Sequence, residues 1–210
     1  MDINYEILYT FIIASSALAI SPGPDNIFVL MQSIVNGKKY GLAVVAGLMT
    51  GCFVHTTLVA FGVSALIKQS DTLFFIIKLF GALYLFFLAF KVFKSESTIQ
   101  LSGETVEKKS VGQLYRQGFI MNVLNPKVSI FFLAFFPGFL FSTTLSSVFQ
   151  FYILGTLFVL DGILIFGLIA ILSGAISNFI KQNSKVGVFL KWLQIIVFIG
   201  IGIFILFSEK

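Results

Sequence analysis

The chain has almost none of the residues from which metal centres and redox pairs are built. Among its 210 residues there is one cysteine, Cys52, and one histidine, His55. A single cysteine rules out an internal disulfide, a Cys-x-x-Cys redox pair and a thiolate metal cluster. A single histidine cannot form a zinc site by itself, so neither a metal nor any other cofactor is expected. Charge is scarce as well: Asp, Glu, Lys and Arg make up 11% of the chain, against about a quarter in an ordinary soluble domain. The net charge of +5 is spread over scattered basic residues without clustered aromatic platforms, which excludes nucleic acid as a partner. Gly-x-Ser-x-Gly, His-Glu-x-x-His and paired aspartates at protease spacing are missing, so an intramembrane enzyme has no motif to stand on.

Apolar residues fill the chain instead: 58% is hydrophobic, including 27 phenylalanines that read as lipid-facing and packing bulk. A helix crossing the hydrocarbon core needs about 20 mostly apolar residues. Six segments of suitable length can be read, at 7–34, 41–67, 72–93, 118–141, 148–176 and 188–207. Asp2 and Glu6 precede the first with no Lys or Arg, the reverse of a signal peptide's basic start, so this segment is expected to stay. The extended polar stretch from Lys94 to Gln117 reads as a solvated connector. The organisation predicted is a first three-helix unit at 1–93, a cytoplasmic connector at 94–117 and a second three-helix unit at 118–210, in one membrane domain.

With six crossings, one side collects Lys38, Lys39, Lys91, Lys94, Lys108, Lys109, Arg116, Lys181, Lys185 and Lys191, and the other has little beyond Lys68 and Lys210. Lys and Arg gather on the cytoplasmic side, which places both termini outside. The first segment would be roughly 40 Å long as a straight helix, longer than the ~30 Å core. Ser21, Pro22, Gly23 and Pro24 supply a break, since proline removes backbone donors and glycine the side chain that favours a helix. Asn125 and Pro126 break the fourth segment likewise.

Three segments per half is an odd number, so related halves must have opposite orientation. Weak internal matches agree: Gly23-Pro24 with Asn125-Pro126, Phe53-Val54-His55 with Val159-Leu160-Asp161, and Lys78-Leu79-Phe80 with Lys191-Trp192-Leu193. The predicted fold class is therefore an all-α integral membrane protein of six transmembrane helices, built as two inverted three-helix repeats with broken first and fourth helices. Discontinuous helices in corresponding positions point to a transporter's binding site.

A helix restarting after Pro24 or Pro126 leaves backbone N–H groups free to hold a carboxylate. Asn125 can donate to the same anion and Lys127 can add charge. The plainer reading is that both breaks are kinks and Lys127 snorkels to an interface. Asp161 lies well inside the fifth segment, where a lone ionised carboxylate costs on the order of 3 kcal/mol. It reads as a proton carrier, a fixed counter-ion or half of a structural pair. Asp25 reads first as a helix cap, and otherwise as a partner for a substrate ammonium. His55 shares a helical face with Gly47 and Gly51; the glycines allow close packing inside the protein or between subunits, and His55 titrates, contacts substrate or is structural. Lys78 and Lys191 are expected to snorkel.

Taken in order, Ser21-Pro22-Gly23-Pro24-Asp25, the run from Gly47 to His55, the run from Lys78 to Leu85, Asn122 with Asn125-Pro126-Lys127, Phe136-Pro137, and Asp161 resemble the lysine-exporter superfamily in its homoserine/threonine-exporter (LysE/RhtB) branch. The resemblance covers nearly the whole chain. It implies secondary efflux of amino acids or related zwitterionic metabolites across a bacterial inner membrane, driven by membrane potential or proton exchange, with the lipid bilayer as a partner and a homodimer as a possible assembly. It carries the helix breaks onto Pro22, Gly23, Pro24, Asn125, Pro126 and Lys127, and the aspartate onto Asp161. Gly138 stands where the family often has Gln, and Ala89 where Gly is usual, which bears on substrate range. A metal-ion or small-anion exporter is the alternative, although converging carboxylates and histidines are scarce; a passive channel fits broken inverted repeats less well.

Overall fold

The computed structural model describes residues 2–65, 70–96, 109–183 and 185–207. Lys68, Lys108 and Lys210, the end of the second segment at Ile67 and most of the predicted connector lie outside the described residues. Every described element is helical: α1 (Tyr5–Ile20), α2 (Pro24–Asn36), α3 (Lys38–Leu58), α4 (Asp71–Lys94), α5 (Val111–Val123), α6 (Pro126–Ile130), α7 (Ser147–Ile171), α8 (Ser173–Gln182) and α9 (Lys185–Phe207). A wide π turn extends α3 over Val59–Val63, and α6 runs on through a π turn at Phe131–Phe135 and a tight 3-10 turn at Phe136–Phe139.

Four helices, α3, α4, α7 and α9, are long and apolar enough to cross a membrane unaided, and two bent pairs bring the total to as many as six. The chain is thus a multi-pass membrane protein. Between α1 and α2 it bends by 60°, and between α5 and α6 by 49°. Both bent pairs run from one end of the bundle to the other. Asn4 N donates to Phe141 O at 2.8 Å and Ser64 Oγ to Ser147 Oγ at 3.0 Å, so these four residues mark one end. At the other, Gly41 packs on Ser33, α2 meets α8, and Lys191 Nζ donates to Ser95 O at 2.6 Å.

Helices in a bilayer gain little from hydrophobic burial, so they associate where small residues let backbones touch. The most extensive contact, between parallel helices α3 and α5, is of this kind. A side chain on Gly47 would run into Tyr115 O, and one on Gly118 into Val44 O. The face shared by Gly47, Gly51 and His55 is therefore internal, turned toward α5. α7 runs antiparallel to α3, with Gly155 against Thr56 and Gly162 against Met49. Phenylalanines do both expected jobs. Phe80, Phe189 and Phe207 are among those exposed on the perimeter, while Phe131, Phe132, Phe135, Phe136 and Phe139 are fully buried. Their rings stack at 4.1 to 4.4 Å within that segment and meet Phe11 edge-on at 5.1 and 5.4 Å, geometries worth about 0.5–1.5 kcal/mol per pair beyond area burial.

Three local readings change. The fourth segment becomes helical at Val111 rather than Gly118, because Ser110 and Gln113 form a reciprocal capping box. The fifth helix stops at Leu172, where the backbone leaves helical geometry, and a separate α8 follows. Lys78 is buried at 7% exposure, its ammonium 5.7 Å from the Phe74 ring centre, whereas the stem of Lys191 reaches along the bundle end to Ser95.

Candidate functional site

Breaking a helix inside a membrane strands carbonyls at the end of one half and N–H groups at the start of the next, with no water to satisfy them. At the first break Ser21 N still bonds Ala17 O at 3.0 Å. Asn26 Nδ2 donates to Ala19 O at 2.7 Å, and Lys127 Nζ donates to both Leu18 O and Ser21 O at 3.3 Å. Lys127 comes from α6, across the bundle. A cation at a helix C-terminus also meets the negative end of the helix dipole. At the second break, the carbonyl of Asn122 accepts from Asn125 N at 3.0 Å and from His55 Nε2 at 3.1 Å. A carbonyl only accepts, so Nε2 carries the proton here. His55, packed 5.4 Å from the Phe132 ring, thus closes the end of α5 as Lys127 closes the end of α1.

The two restarts face one another. Asn125 is the N-cap of α6: its Oδ1 accepts from Lys127 N at 3.0 Å. Its Nδ2 donates to Asp25 Oδ2 at 2.7 Å. Asp25 does not cap its own helix, contrary to the first expectation for it. Gly23 holds the N-cap position of α2 and no side chain caps that terminus, which leaves the buried Asp25 carboxylate free to turn to Asn125. Gly23 lies beside the ammonium of Lys127, with space at ordinary contact distance, 3.7 Å, where a Cβ would stand. The junction therefore gathers one acidic side chain, Asp25, and one basic side chain, Lys127. Pro22, half-buried, and Pro24, exposed, shape the first break without bonding to the second.

A cavity of ≈ 40 Å³ opens beside this junction, room for roughly three waters. Its lining is of two kinds: Asp25, Asn26, Asn122 and Lys127 are polar, while Leu48, Met49, Phe158 and Phe166, from α3 and α7, are apolar. Two buried polar atoms nearby, Asn122 Oδ1 and Ser21 Oγ, find no hydrogen bond within the chain. Neither Gly138 nor Ala89 lines the cavity.

Asp161 is held apart from Lys127. Its two carboxylate oxygens accept from Ser15 Oγ at 2.9 Å and Ser16 Oγ at 2.8 Å, tying the middle of α7 to the middle of α1. The structure thus brings Gly23, Asp25, Asn125 and Lys127 into one cluster and leaves His55 and Asp161 at separate contacts between helices. Sequence reasoning passed over Ser15, Ser16 and Asn26. The signal for them was thin: a serine pair inside an apolar span and an amide next to the first break. Among the described residues no group of three or more His, Cys, Asp or Glu converges to hold a metal.

The family model described as LysE type translocator matches residues 16–209. The chain is 32% identical over 137 residues to the homoserine/homoserine lactone efflux protein of Salmonella typhimurium (strain LT2), a match covering 65% of the chain and 66% of that protein. It is 30% identical over 189 residues to the leucine efflux protein of Salmonella choleraesuis (strain SC-B67), covering 88% of the chain and 87% of that protein. No solved structure matches. With nearly its whole length inside the family model, and with both helix breaks lying in the matched region, the chain belongs to the family of LysE-type translocators.

Proposed function

We propose that the chain is a secondary active exporter of amino acids across the bacterial inner membrane, and that its substrate is held as a zwitterion at the junction of the two helix breaks. The observation that carries this reading is that one acid and one base, Asp25 and Lys127, line the same, mostly apolar cavity. The substrate carboxylate takes Lys127, the Asn125 amide and the uncapped start of α2; the substrate ammonium takes Asp25. Binding then exchanges the Asp25–Asn125 hydrogen bond for two contacts with substrate. Asn122 Oδ1 and Ser21 Oγ, buried without partners, are the further polar groups a substrate can satisfy, and each unsatisfied buried group costs about 1–3 kcal/mol. The relatives are named as efflux proteins for homoserine, homoserine lactone and leucine; homoserine and leucine are zwitterions, and the lactone keeps the amino group but no free carboxylate.

The two halves act as inverted repeats in this reading. α1 runs parallel to α7 and α3 to α5, while α3 and α7, like α4 and α9, run antiparallel; exchanging the halves reproduces this pattern. His55 and Asp161, matched in sequence, also each bind a broken helix of the opposite half. Six crossings with both termini outside put the basic end of the bundle in the cytoplasm. Rocking one half against the other carries the site across, and Asp161, at the α1–α7 contact, couples that movement to protons or to the membrane potential. A homodimer would form on faces other than the internal Gly47–Gly51 face.

Efflux of preloaded, labelled amino acids from proteoliposomes, under an imposed proton gradient and membrane potential, tests the function. Saturable efflux of leucine, homoserine or threonine is expected, with none of a divalent-metal control. Metal or anion flux without amino-acid flux would overturn the reading.

A further inference from the structure

We propose, resting on the zwitterion site above, that Met49 is the movable wall that sets the largest substrate side chain, held in place by the missing side chain of Gly162. With the substrate's two charged groups on Asp25 and Lys127, its side chain is left to the apolar lining, which Leu48, Met49, Phe158 and Phe166 supply. A volume of ≈ 40 Å³ admits about three waters, well short of a whole leucine molecule, so part of that wall yields when substrate enters. Phe158 is fixed among other rings, 5.4 Å from Phe131 and 5.1 Å from Phe132. Met49 is an unbranched, flexible thioether, the side chain type that adapts most readily to irregular space.

Met49 alone also has somewhere to go. It lines both the central cavity and a groove of ≈ 620 Å³ between α3 and α7, bounded on the far side by Val45, Phe53, Ile163 and Leu168. Among the described residues Met49 is the one that lines both spaces, and Gly162 packs against it. A Cβ on Gly162 would lie 2.5 Å from Met49 Sδ and 2.9 Å from its Cε, closer than real contacts allow, so the glycine is what gives the thioether its seat. The same wall carries no charge of its own. A lysine substrate would bring a third charge with no partner, and burying an unpaired charge is costly. The substrate class is therefore amino acids with uncharged side chains, limited in size by Met49.

Counterflow of labelled alanine, leucine, phenylalanine and lysine, measured for the wild type, Met49→Ala and Gly162→Ala, tests the proposal. Shortening the wall is expected to raise the phenylalanine-to-alanine ratio about tenfold, and crowding the thioether into the cavity to lower the leucine-to-alanine ratio about tenfold, the scale of one or two methylenes in an apolar pocket. Lysine is expected to stay behind in all three. Should Gly162→Ala fail to insert, Met49→Leu, which keeps the volume but stiffens the wall, is expected to lower the phenylalanine ratio. Unchanged ratios in folded, exporting variants would overturn the role of Met49 and leave the exporter reading standing; a wild type that exports no amino acid would overturn the exporter reading itself.

Discussion

Replacing Lys127 by methionine is expected to weaken amino-acid counterflow by on the order of 100-fold, the scale of losing one charged contact to a substrate held away from water. Two losses combine in that figure. The substrate carboxylate loses its cation, and Asp25 becomes an unbalanced buried acid, held only by Asn125. A third loss falls on the fold: Leu18 O and Ser21 O, which both accept from Lys127, lose that donor at the end of α1. A lower melting temperature in detergent should therefore accompany the transport defect. Asn125→Ala leaves the Lys127 contacts to α1 in place while removing a donor to Asp25, a substrate contact and the cap of α6, so a transport defect there without the loss at α1 marks the substrate contacts. If Lys127→Met exported at the wild-type rate, the matched charges at the junction would be structural only.

Asp161→Asn is the second change with a large expected effect, and of a different kind. Asparagine keeps the size of the side chain and one acceptor oxygen, so the contact to Ser15 and Ser16 weakens without leaving a hole. Exchange of labelled for unlabelled substrate should persist within a few-fold. Net efflux against a substrate gradient, driven by a proton gradient or by potential, should collapse, since each charge crossing 100 mV supplies about 2.3 kcal/mol and the coupling group would be gone. Paired counterflow and driven-efflux assays on the same vesicles read the difference. Driven efflux equal to that of the wild type would remove Asp161 from the coupling step.

Much of this architecture is legible in the sequence because a bilayer leaves few solutions for an apolar segment. Pro22, Pro24 and Pro126 mark both breaks unambiguously, and the chain bends at each. What stayed illegible depends on tertiary partners. Asp25 next to a break has the local signature of a cap; that Gly23 takes the cap position and frees the carboxylate for a residue 100 positions away is set by the meeting of two halves, which no local pattern reports. Lys127 reads equally as snorkelling or as a ligand until the carbonyls of α1 are placed against it. The serines that hold Asp161 carry no motif. Leu172, where the fifth helix ends, is neither glycine nor proline, and the π turns after α3 and α6 follow ordinary apolar sequence. The capping box at Ser110 and Gln113, by contrast, was readable in a stretch that its polarity assigned to the connector.

If both charged ends of one small molecule are held at the junction of the two breaks, titration of the purified protein with leucine, leucinamide and 4-methylvalerate shows it. Saturable binding of leucine is expected, with leucinamide, which lacks the carboxylate, and 4-methylvalerate, which lacks the ammonium, each weaker by on the order of 100-fold. Equal binding of all three would contradict it, because the site would then be reading the aliphatic chain and neither Asp25 nor Lys127 would be in contact with the substrate.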